Sequence, residues 1–254
     1  MVTLEAPEIN NQAVDLWRRP SLKWLSTNED LESILEGMDV NEDDSILAIG
    51  GSGEQIFAML SRGAKVTVID YDPVQIWYIK YRAKLIENGF IDTFLEPITT
   101  YWQNFRPNPL DFFRKQGILD SIRENVGNLT IMEPTDLYDL DPTPIERFNK
   151  LYLSNAIQSD KKRAESIQLL KGFVKYLPLG GLIYSSQRID EVLDLQKNGI
   201  LGFFVDLGSM VKRRIMGNDN DRNLMVEDME LSGRARSSYS SMIIWDRTVY
   251  RKVA

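Results

Sequence analysis

Short apolar runs alternate with longer stretches of helical period along most of the chain. The runs SILAI at 45–49 and KVTVI at 65–69 are typical of buried strands, and an amphipathic stretch separates them. Strands that alternate with helices form βαβ units, whose parallel sheet is covered by helices on both faces. We therefore predict an α/β fold with a doubly wound, mostly parallel sheet. The predicted strands are 45–49, 65–69, 129–132, 150–153 and 181–184, and the predicted helices are 55–61, 74–88, 109–126 and 161–176.

Residues 1–43 are predicted to form a helical extension ahead of this sheet. Their apolar positions recur with helical spacing, and the last helix of the extension is predicted at 31–36. Thr27 or Asn28 is a suitable N-cap for this helix, and Gly37 is a suitable residue to end it.

The carboxyl-terminal part of the chain has a weaker pattern. We assign the core of the fold to 44–190 and a carboxyl-terminal elaboration to 191–254, within one domain that spans 1–254. The segment 213–237 is rich in Asn, Asp and Arg, which predicts a loop or flap. The apolar run SMIIW at 241–245 predicts the last strand.

The sequence of 254 residues contains no cysteine and no histidine. This double absence excludes disulfides, a cysteine nucleophile, any histidine-based triad, and metal sites built from cysteine or histidine. We accordingly predict no metal ligands. Any proton transfer must use Asp, Glu, Lys, Tyr or water.

The balance of charges is acidic, with 30 Lys and Arg against 37 Asp and Glu, a net charge of −7. An acidic chain does not favour nucleic acid as its main partner. No apolar stretch approaches the roughly 20 residues that a membrane helix needs, and the amino terminus lacks the pattern of a secretory signal. We expect a cytoplasmic protein without an integral membrane segment, and the oligomeric state is left open.

A glycine-rich loop, IGGSG at 49–53, directly follows the first predicted strand and precedes a helix. Such a loop lets a ligand approach bare backbone. By itself it also fits a plain tight turn. The second predicted strand, however, is followed by Asp70, 20 residues beyond Gly50, where a doubly wound fold holds a ribose through its hydroxyls. The candidate cofactor-binding residues are therefore Gly50, Gly51, Ser52, Gly53 and Asp70.

The kind of ribose-bearing cofactor follows from a missing glycine. A dinucleotide fingerprint requires a third glycine at the position of Ile56, so NAD and FAD are disfavoured and a smaller adenosyl ligand is favoured. On these residues the chain resembles the class I S-adenosylmethionine-dependent transferases, which have a methyltransferase-like Rossmann fold, over about 44–190. The resemblance implies that the loop faces the amino-acid part of S-adenosyl-L-methionine and that Asp70 holds the ribose. The chain departs from the usual pattern at Leu47 and Ile49, where those enzymes have an acid and a glycine.

Three segments resemble a narrower group, the 3-amino-3-carboxypropyl transferases of betaine-lipid synthesis, whose reaction type nicotianamine synthases share. These segments are DPVQ at 72–75, LYLSN at 151–155 and WRRP at 17–20. Asp72 followed by Pro73 also fits an ordinary helix start, with an acidic N-cap and a proline in the first turn. The resemblance adds Tyr71, Asp72 and Gln75 to the candidate cofactor-binding residues.

Further cofactor contacts are expected after the third and fourth predicted strands. Relatives place an acidic residue near the adenine amino group after the third strand, which makes Asp136, with its neighbour Leu137, our candidate. A solvated loop acid is the alternative interpretation of Asp136. Asn155 follows the fourth strand, at the sheet edge where ligands of such folds bind, although asparagine there is also a common turn residue.

A transferred carboxypropyl group carries a carboxylate, which an arginine binds well in a bidentate manner. Arg188 and Tyr138 are our candidates for the catalytic residues, and Arg19 and Tyr101 for substrate binding. The alternative to these roles is that the arginines are surface charges and that the tyrosines are half-buried packing residues.

The leading hypothesis is an enzyme that transfers the 3-amino-3-carboxypropyl group of S-adenosyl-L-methionine to a small-molecule amine, hydroxyl or lipid head group and releases methylthioadenosine. A methyltransferase that releases S-adenosylhomocysteine is the first alternative. A non-catalytic protein that binds an adenosyl ligand is the second, because a fold does not establish turnover.

Overall fold

The computed structural model describes residues 22–101, 108–157, 163–186, 215–216, 225–236 and 248–253. Besides the α-helices, short 3₁₀ helices occur at Val126–Asn128, Leu137–Asp139 and Thr143–Arg147. The helices are α1 (Leu31–Gly37), α2 (Glu54–Leu60), α3 (Pro73–Glu87), α4 (Ile91–Tyr101), α5 (Pro109–Phe113), α6 (Ile118–Asn125), α7 (Arg163–Tyr176) and α8 (Met229–Arg236).

Eight strands of the described residues form one sheet in the order β3-β2-β1-β4-β5-β8-β7-β6. The first three strands run from β1 through β2 to β3, at one edge of the sheet. The fourth strand, β4, lies next to β1 on its other side. The β2–β3 and β4–β5 pairs are parallel, whereas β8, β7 and β6 extend the sheet in antiparallel pairs. The strands are β1 (Ser45–Ile49), β2 (Lys65–Ile69), β3 (Leu129–Ile131), β4 (Lys150–Ser154), β5 (Leu182–Ser185), β6 (Ile215–Met216), β7 (Met225–Glu227) and β8 (Thr248–Lys252).

The doubly wound α/β prediction is confirmed. The five predicted core strands are present, and each boundary agrees with the sequence pattern to within one residue. Their side chains explain this agreement, because Ile46, Leu47 and Ala48 of β1 are buried, as are Leu151 and Tyr152 of β4. Strands buried on both faces leave continuous apolar runs in the sequence.

The position of α1 agrees with the prediction, but its capping residue differs. The N-cap contacts of α1 come from Asp30, not from Thr27 or Asn28: the Glu32 N–H donates to Asp30 Oδ1 at 3.1 Å and the Ser33 hydroxyl donates to Asp30 Oδ2 at 2.9 Å. The helix ends at Gly37 as expected.

The predicted helix at 109–126 is two helices, α5 and α6. Gly117, at φ +81°, separates them, because this left-handed conformation cannot continue a right-handed helix. Helix α4 was not predicted from the sequence, and it contains Pro97.

The prediction of a loop or flap at 213–237 is wrong for its described parts, which include β6, β7 and α8. β7 pairs with β8 and β6 pairs with β7, so these short strands depend on the edge of the sheet that β8 provides. The predicted strand at 241–245 lies outside the described residues.

The chain groups into two compact units. The first consists of Met1–Leu35, Val40–Asp43 and Ala48–Leu137, and the second of Glu36–Asp39, Asp44–Leu47 and Tyr138–Ala254. The first unit has a core of aromatic rings around Phe94, which meets Phe57 and Phe113 edge-on at 5.1 and 5.4 Å. In the second, the rings of Tyr152 and Tyr184 stack at 5.2 Å. That the chain is a single domain stays a prediction.

Candidate functional site

The glycine loop, residues 50–53, connects β1 to α2 in the first unit. The Gly53 N–H donates to the Gly50 carbonyl at 3.0 Å and closes a tight turn. Gly51 and Gly53 have φ values of +49° and +89°, which glycine adopts without a steric penalty. A Cβ on Gly50 would lie 3.0 Å from the side chain of Asp70. The loop therefore packs its bare backbone directly against that carboxylate.

Asp70 follows β2, and 6% of its surface is exposed. Its Oδ2 accepts a hydrogen bond from the Gly51 N–H at 3.0 Å, and its Oδ1 accepts one from the Asp72 N–H at 2.9 Å. Burial raises the pKa of Asp70 above its ordinary value, and these backbone N–H groups lower it only in part. A carboxylate has about four lone-pair positions, so Asp70 retains capacity to accept hydrogen bonds from ligand hydroxyls.

Asp72 caps α3, since its Oδ1 accepts from the Val74 N–H at 2.9 Å and Pro73 occupies the first turn. The interpretation of Asp72 as an N-cap is thus confirmed. Lys23 lies 3.2 Å from Asp72 Oδ2, donates to the Tyr71 hydroxyl at 2.9 Å, and sits 4.6 Å from the centre of the Tyr71 ring. The Tyr71 side chain is 58% exposed, so its ring is available on the surface beside Asp70.

Gln75 connects the glycine loop to residues 23–27, which we call the strap. Its Oε1 accepts from the backbone N–H groups of Lys23 and Trp24 at 3.0 and 3.1 Å. Its Nε2 donates to the carbonyls of Trp24 at 3.0 Å and Gly51 at 2.6 Å. The fully buried amide is thereby committed to the chain's own backbone, which makes Gln75 a residue that positions the loop.

A buried ion pair forms a second connection between the strap and the loop. Arg82 of α3 donates through Nη1 to Glu54 Oε1 at 2.9 Å and to the Ser52 carbonyl at 3.0 Å. The other carboxylate oxygen of Glu54 accepts from the Thr27 N–H at 3.1 Å and from the Ser52 hydroxyl. One carboxylate thus joins the loop, the strap and α3.

The guanidinium of Arg82 is enclosed by aromatic rings. It lies 4.3 Å from the ring centre of Phe94, 5.4 Å from that of Phe57 and 5.6 Å from that of Tyr78. Such contacts compensate in part for the removal of a cation from water. Its buried Nε has no hydrogen-bond partner among the described residues.

Sequence reasoning missed the Glu54–Arg82 pair and the strap. The contacts span 27 to 52 positions, so no local motif contains both partners. One signal was present: Arg82 stands at helical spacing from Tyr78 and Leu85, on a face that is otherwise apolar. A charged residue on an apolar helix face predicts a buried partner of opposite charge.

The segment after β3 is attached to the same region of the first unit. The Thr135 N–H donates to the Asp70 carbonyl at 2.8 Å, which brings the segment beside the end of β2. Asp136 is half-buried and Leu137 is buried. The structure therefore brings both residues into the neighbourhood of Asp70, and their contact with an adenine stays a prediction.

Two candidates belong to the second unit. The Tyr138 hydroxyl lies 2.9 Å from Ser166 Oγ and 3.5 Å from the Ala156 carbonyl. Asn155 is half-buried and directly follows Ser154, which has a φ of +46° where β4 ends. The catalytic role of Tyr138 and the ligand contact of Asn155 stay predictions.

Three other candidates have no described side chain. Arg19 and Arg188 lie outside the described residues, and Tyr101 is the last residue of α4. Their roles in substrate binding and catalysis stay predictions.

Within the described ranges, no group of three or more acidic side chains is arranged to hold a metal ion. Nor is any helix in this part of the chain long and apolar enough to cross a membrane.

No protein-family profile matches the chain, and no curated protein matches it significantly. Among solved structures, the chain is similar to the CcbJ methyltransferase from Streptomyces caelestis, with 11% identity and a TM-score of 0.48, over 95% of this chain and 96% of that one. The N-methyltransferase NodS from Bradyrhizobium japonicum, solved with S-adenosyl-L-homocysteine, has 11% identity and a TM-score of 0.42, over 95% and 97% of the two chains. An rRNA methylase from Streptococcus thermophilus has 10% identity and a TM-score of 0.43, over 90% and 100%.

Proposed function

We propose that the protein binds S-adenosyl-L-methionine at the glycine loop and transfers a group from it to a small-molecule acceptor. The observation that carries this proposal is the buried carboxylate of Asp70, bonded to the Gly51 N–H at 3.0 Å at the end of β2. A ribose held by its two hydroxyls needs an acceptor of this kind, beside backbone without side chains.

The residues around Asp70 fit an adenosyl ligand. No side chain projects from Gly50 or Gly51, and the Gly50 backbone is so close to Asp70 that even a Cβ would collide with it. Gln75 and the Glu54–Arg82 pair hold the loop from the side of the strap. In this proposal Asp70 binds the ribose, Asp136 and Leu137 contribute to the adenine pocket, and Tyr71 provides an exposed ring beside the ribose.

We further propose aminocarboxypropyl transfer as the reaction, on the resemblance of the segments 72–75 and 151–155. When bound, the sulfonium supplies an electrophilic carbon and a neutral leaving group. The acceptor's lone pair forms a bond to the γ-carbon, the γ-carbon–sulfur bond breaks, and methylthioadenosine leaves with the electron pair. The acceptor's proton passes to a carboxylate, a lysine, a tyrosine or water, because the chain has no histidine.

Methyl transfer is the competing reaction for the same cofactor. The acceptor then attacks the methyl carbon, and S-adenosylhomocysteine leaves. For either reaction the net charge of −7 favours a small-molecule amine, hydroxyl or lipid head group over nucleic acid as the acceptor.

Calorimetric titration with S-adenosyl-L-homocysteine tests the binding. We expect Asp70→Ala to weaken binding by about 1.5 to 3 kcal/mol, the usual cost of losing hydrogen bonds to a charged group. Asp120→Ala is the matched control, since this acid of α6 is exposed and pairs only with its helix neighbour Arg123 among the contacts described. Equal affinities of the wild type and Asp70→Ala would refute the assignment.

Chromatography of the spent cofactor separates the reactions. The enzyme is incubated with S-adenosyl-L-methionine and pooled small-molecule amines and alcohols, and the adenosyl products are quantified. Methylthioadenosine as the main product supports aminocarboxypropyl transfer, whereas S-adenosylhomocysteine supports methyl transfer. Binding without either product would favour the non-catalytic alternative.

A further inference from the structure

The carbonyl groups of the glycine loop are already used by the chain itself. The Gly50 carbonyl accepts from the Gly53 N–H, the Gly51 carbonyl from Gln75 Nε2, and the Ser52 carbonyl from Arg82 Nη1. A ligand with a strong hydrogen-bond donor therefore meets few unused acceptors on the loop backbone.

Two buried acceptors beside the loop have no hydrogen-bond partner among the described residues. Gln55 is the second residue of α2, and its Nε2 donates to Thr27 Oγ1 at 2.6 Å while its Oε1 is unpartnered. Ser26 precedes Thr27 in the strap, and its Oγ is also unpartnered. Both residues are 8% exposed. A buried acceptor without a donor is costly, which makes each of them a candidate for a ligand contact.

Hydrogen bonds through Thr27 and Glu54 connect the residues that carry these two atoms to the loop. Thr27 is bonded to Gln55 through its hydroxyl and to Glu54 through its N–H, so the strap lies along the first turn of α2. Glu54 in turn accepts from the hydroxyl of Ser52 in the loop. Ser26 thus precedes the strap residue that is attached to the loop through Glu54, and Gln55 of α2 is hydrogen-bonded to that same residue, Thr27.

We propose that Gln55 Oε1 and Ser26 Oγ accept hydrogen bonds from the ammonium group of the amino-acid arm of the adenosyl ligand, an inference that rests on the proposed function. An ammonium group offers three N–H donors and no acceptor, which complements an amide oxygen and a hydroxyl oxygen. The ligand's carboxylate offers only acceptors, so it does not complement Gln55 Oε1.

The test uses three ligands on the full chain: S-adenosyl-L-homocysteine, its analogue without the amino group, and its analogue without the carboxylate. We expect Gln55→Leu to weaken binding of S-adenosyl-L-homocysteine about tenfold, by loss of a hydrogen bond to a charged group. The same substitution should leave the affinity for the analogue without the amino group unchanged. Binding of the analogue without the carboxylate should weaken as much as that of S-adenosyl-L-homocysteine.

Ser26→Ala is the second variant, because it removes one oxygen atom and creates little empty space. We expect a loss of about threefold for S-adenosyl-L-homocysteine and none for the analogue without the amino group. Gln116→Leu, at an exposed position of the first unit, is the matched control and should change none of the three affinities. Thermal unfolding of each variant verifies that the chain is folded.

The outcomes separate this inference from the proposed function. Suppose that the wild type binds S-adenosyl-L-homocysteine. If Gln55→Leu and Ser26→Ala weaken the binding of both analogues equally, or change the affinity for none of the three ligands, the inference is wrong and the cofactor assignment stands. If Gln55→Leu weakens the binding of S-adenosyl-L-homocysteine but not of the analogue without the carboxylate, the Gln55 amide contacts the ligand's carboxylate. That result would also overturn the inference. A wild type that binds none of the ligands refutes the proposed function itself.

Discussion

The two units each contain a buried ion pair, and the two pairs have different surroundings. In the second unit, Lys150 donates to Asp44 Oδ2 and to the Asp39 carbonyl, both at 2.6 Å, and Asn149 Nδ2 donates to Asp44 Oδ1 at 2.9 Å. In the first unit, Glu54 and Arg82 bond to each other, but their other hydrogen bonds reach the glycine loop and the strap. The two ion pairs are thus alike in their charges but differ in the segments to which they hydrogen-bond.

The difference lies in what each pair holds. Asp44 and Lys150 stand at the starts of β1 and β4, and their contacts are to neighbouring turns and strand ends. Glu54 and Arg82 instead hydrogen-bond to Ser52 within the glycine loop and, through Glu54, to Thr27 of the strap. We infer that the Asp44–Lys150 pair supports the fold alone, whereas the Glu54–Arg82 pair supports both the fold and the proposed ligand site.

Arg82→Met should produce the largest effect. It leaves Glu54 buried without its cation, so we expect the free energy of unfolding to fall by about 4 kcal/mol. Because the Ser52 carbonyl also loses its donor, the folded fraction should bind S-adenosyl-L-homocysteine about tenfold more weakly. Chemical denaturation and calorimetry measure the two effects.

A double variant distinguishes charge burial from loop support. In Glu54→Met/Arg82→Met neither charge remains, so more than half of the lost stability should return, whereas affinity should stay low. If affinity returned along with stability, the pair would have no role in holding the loop.

Lys150→Met should lower stability by a slightly smaller amount, about 3 kcal/mol, because it leaves Asp44 without its cation. Asn149 still donates to Asp44, which moderates the loss. We expect the affinity of the folded protein for S-adenosyl-L-homocysteine to be unchanged, as measured by calorimetry below the unfolding transition. A loss of affinity equal to that of Arg82→Met would remove the distinction between the pairs.

The pH dependence of binding should show the smallest effect. The pKa of Asp70 is raised by burial, so the folded chain holds this proton at pH values where the unfolded chain has lost it. The contribution of Asp70 to stability therefore falls as the pH rises through that window, whereas ligand affinity, which needs the ionised carboxylate, falls as the pH is lowered. We expect affinity for S-adenosyl-L-homocysteine to fall as the pH is lowered from neutral into the acidic range, as measured by calorimetry across that range.

Two variants provide the comparison for this titration. Asp70→Asn should bind weakly with little dependence on pH, because no carboxyl group titrates there. Lys150→Met should keep the dependence of the wild type. A dependence that persists in Asp70→Asn would assign the titration to another group.

The sequence was sufficient to predict the core strands and the positions of the glycine loop and Asp70 directly after β1 and β2, and the reason is local. A buried strand is a run of apolar residues, and an acid that ends the second strand of such a fold can be identified by counting from the loop. Helix boundaries were less predictable where one residue decides them, as Gly117 does between α5 and α6. The strand at 225–227 depends on pairing with β8, the strand at 215–216 pairs with it in turn, and neither has a local sequence pattern.

The supports of the candidate site could not be predicted for a different reason. Gln75 was selected through the resemblance, but the fold shows it bonded to Lys23 and Trp24, more than 50 positions away. The apolar helix face around Arg82 indicates a buried partner, but no local pattern identifies that partner as Glu54. Hydrogen bonds between distant segments depend on the tertiary arrangement, which composition and spacing do not encode directly.

The strap has a consequence for where the chain can be shortened. A chain that began after residue 27 would lose the N–H groups of Lys23, Trp24 and Thr27, and so the donors that Gln75 and Glu54 now use. Two buried acceptors would then be exposed to solvent or left without partners, next to the loop. Residues 23–27 are therefore an integral part of the smallest unit that can retain this candidate site, and a truncated protein intended for ligand studies must keep them.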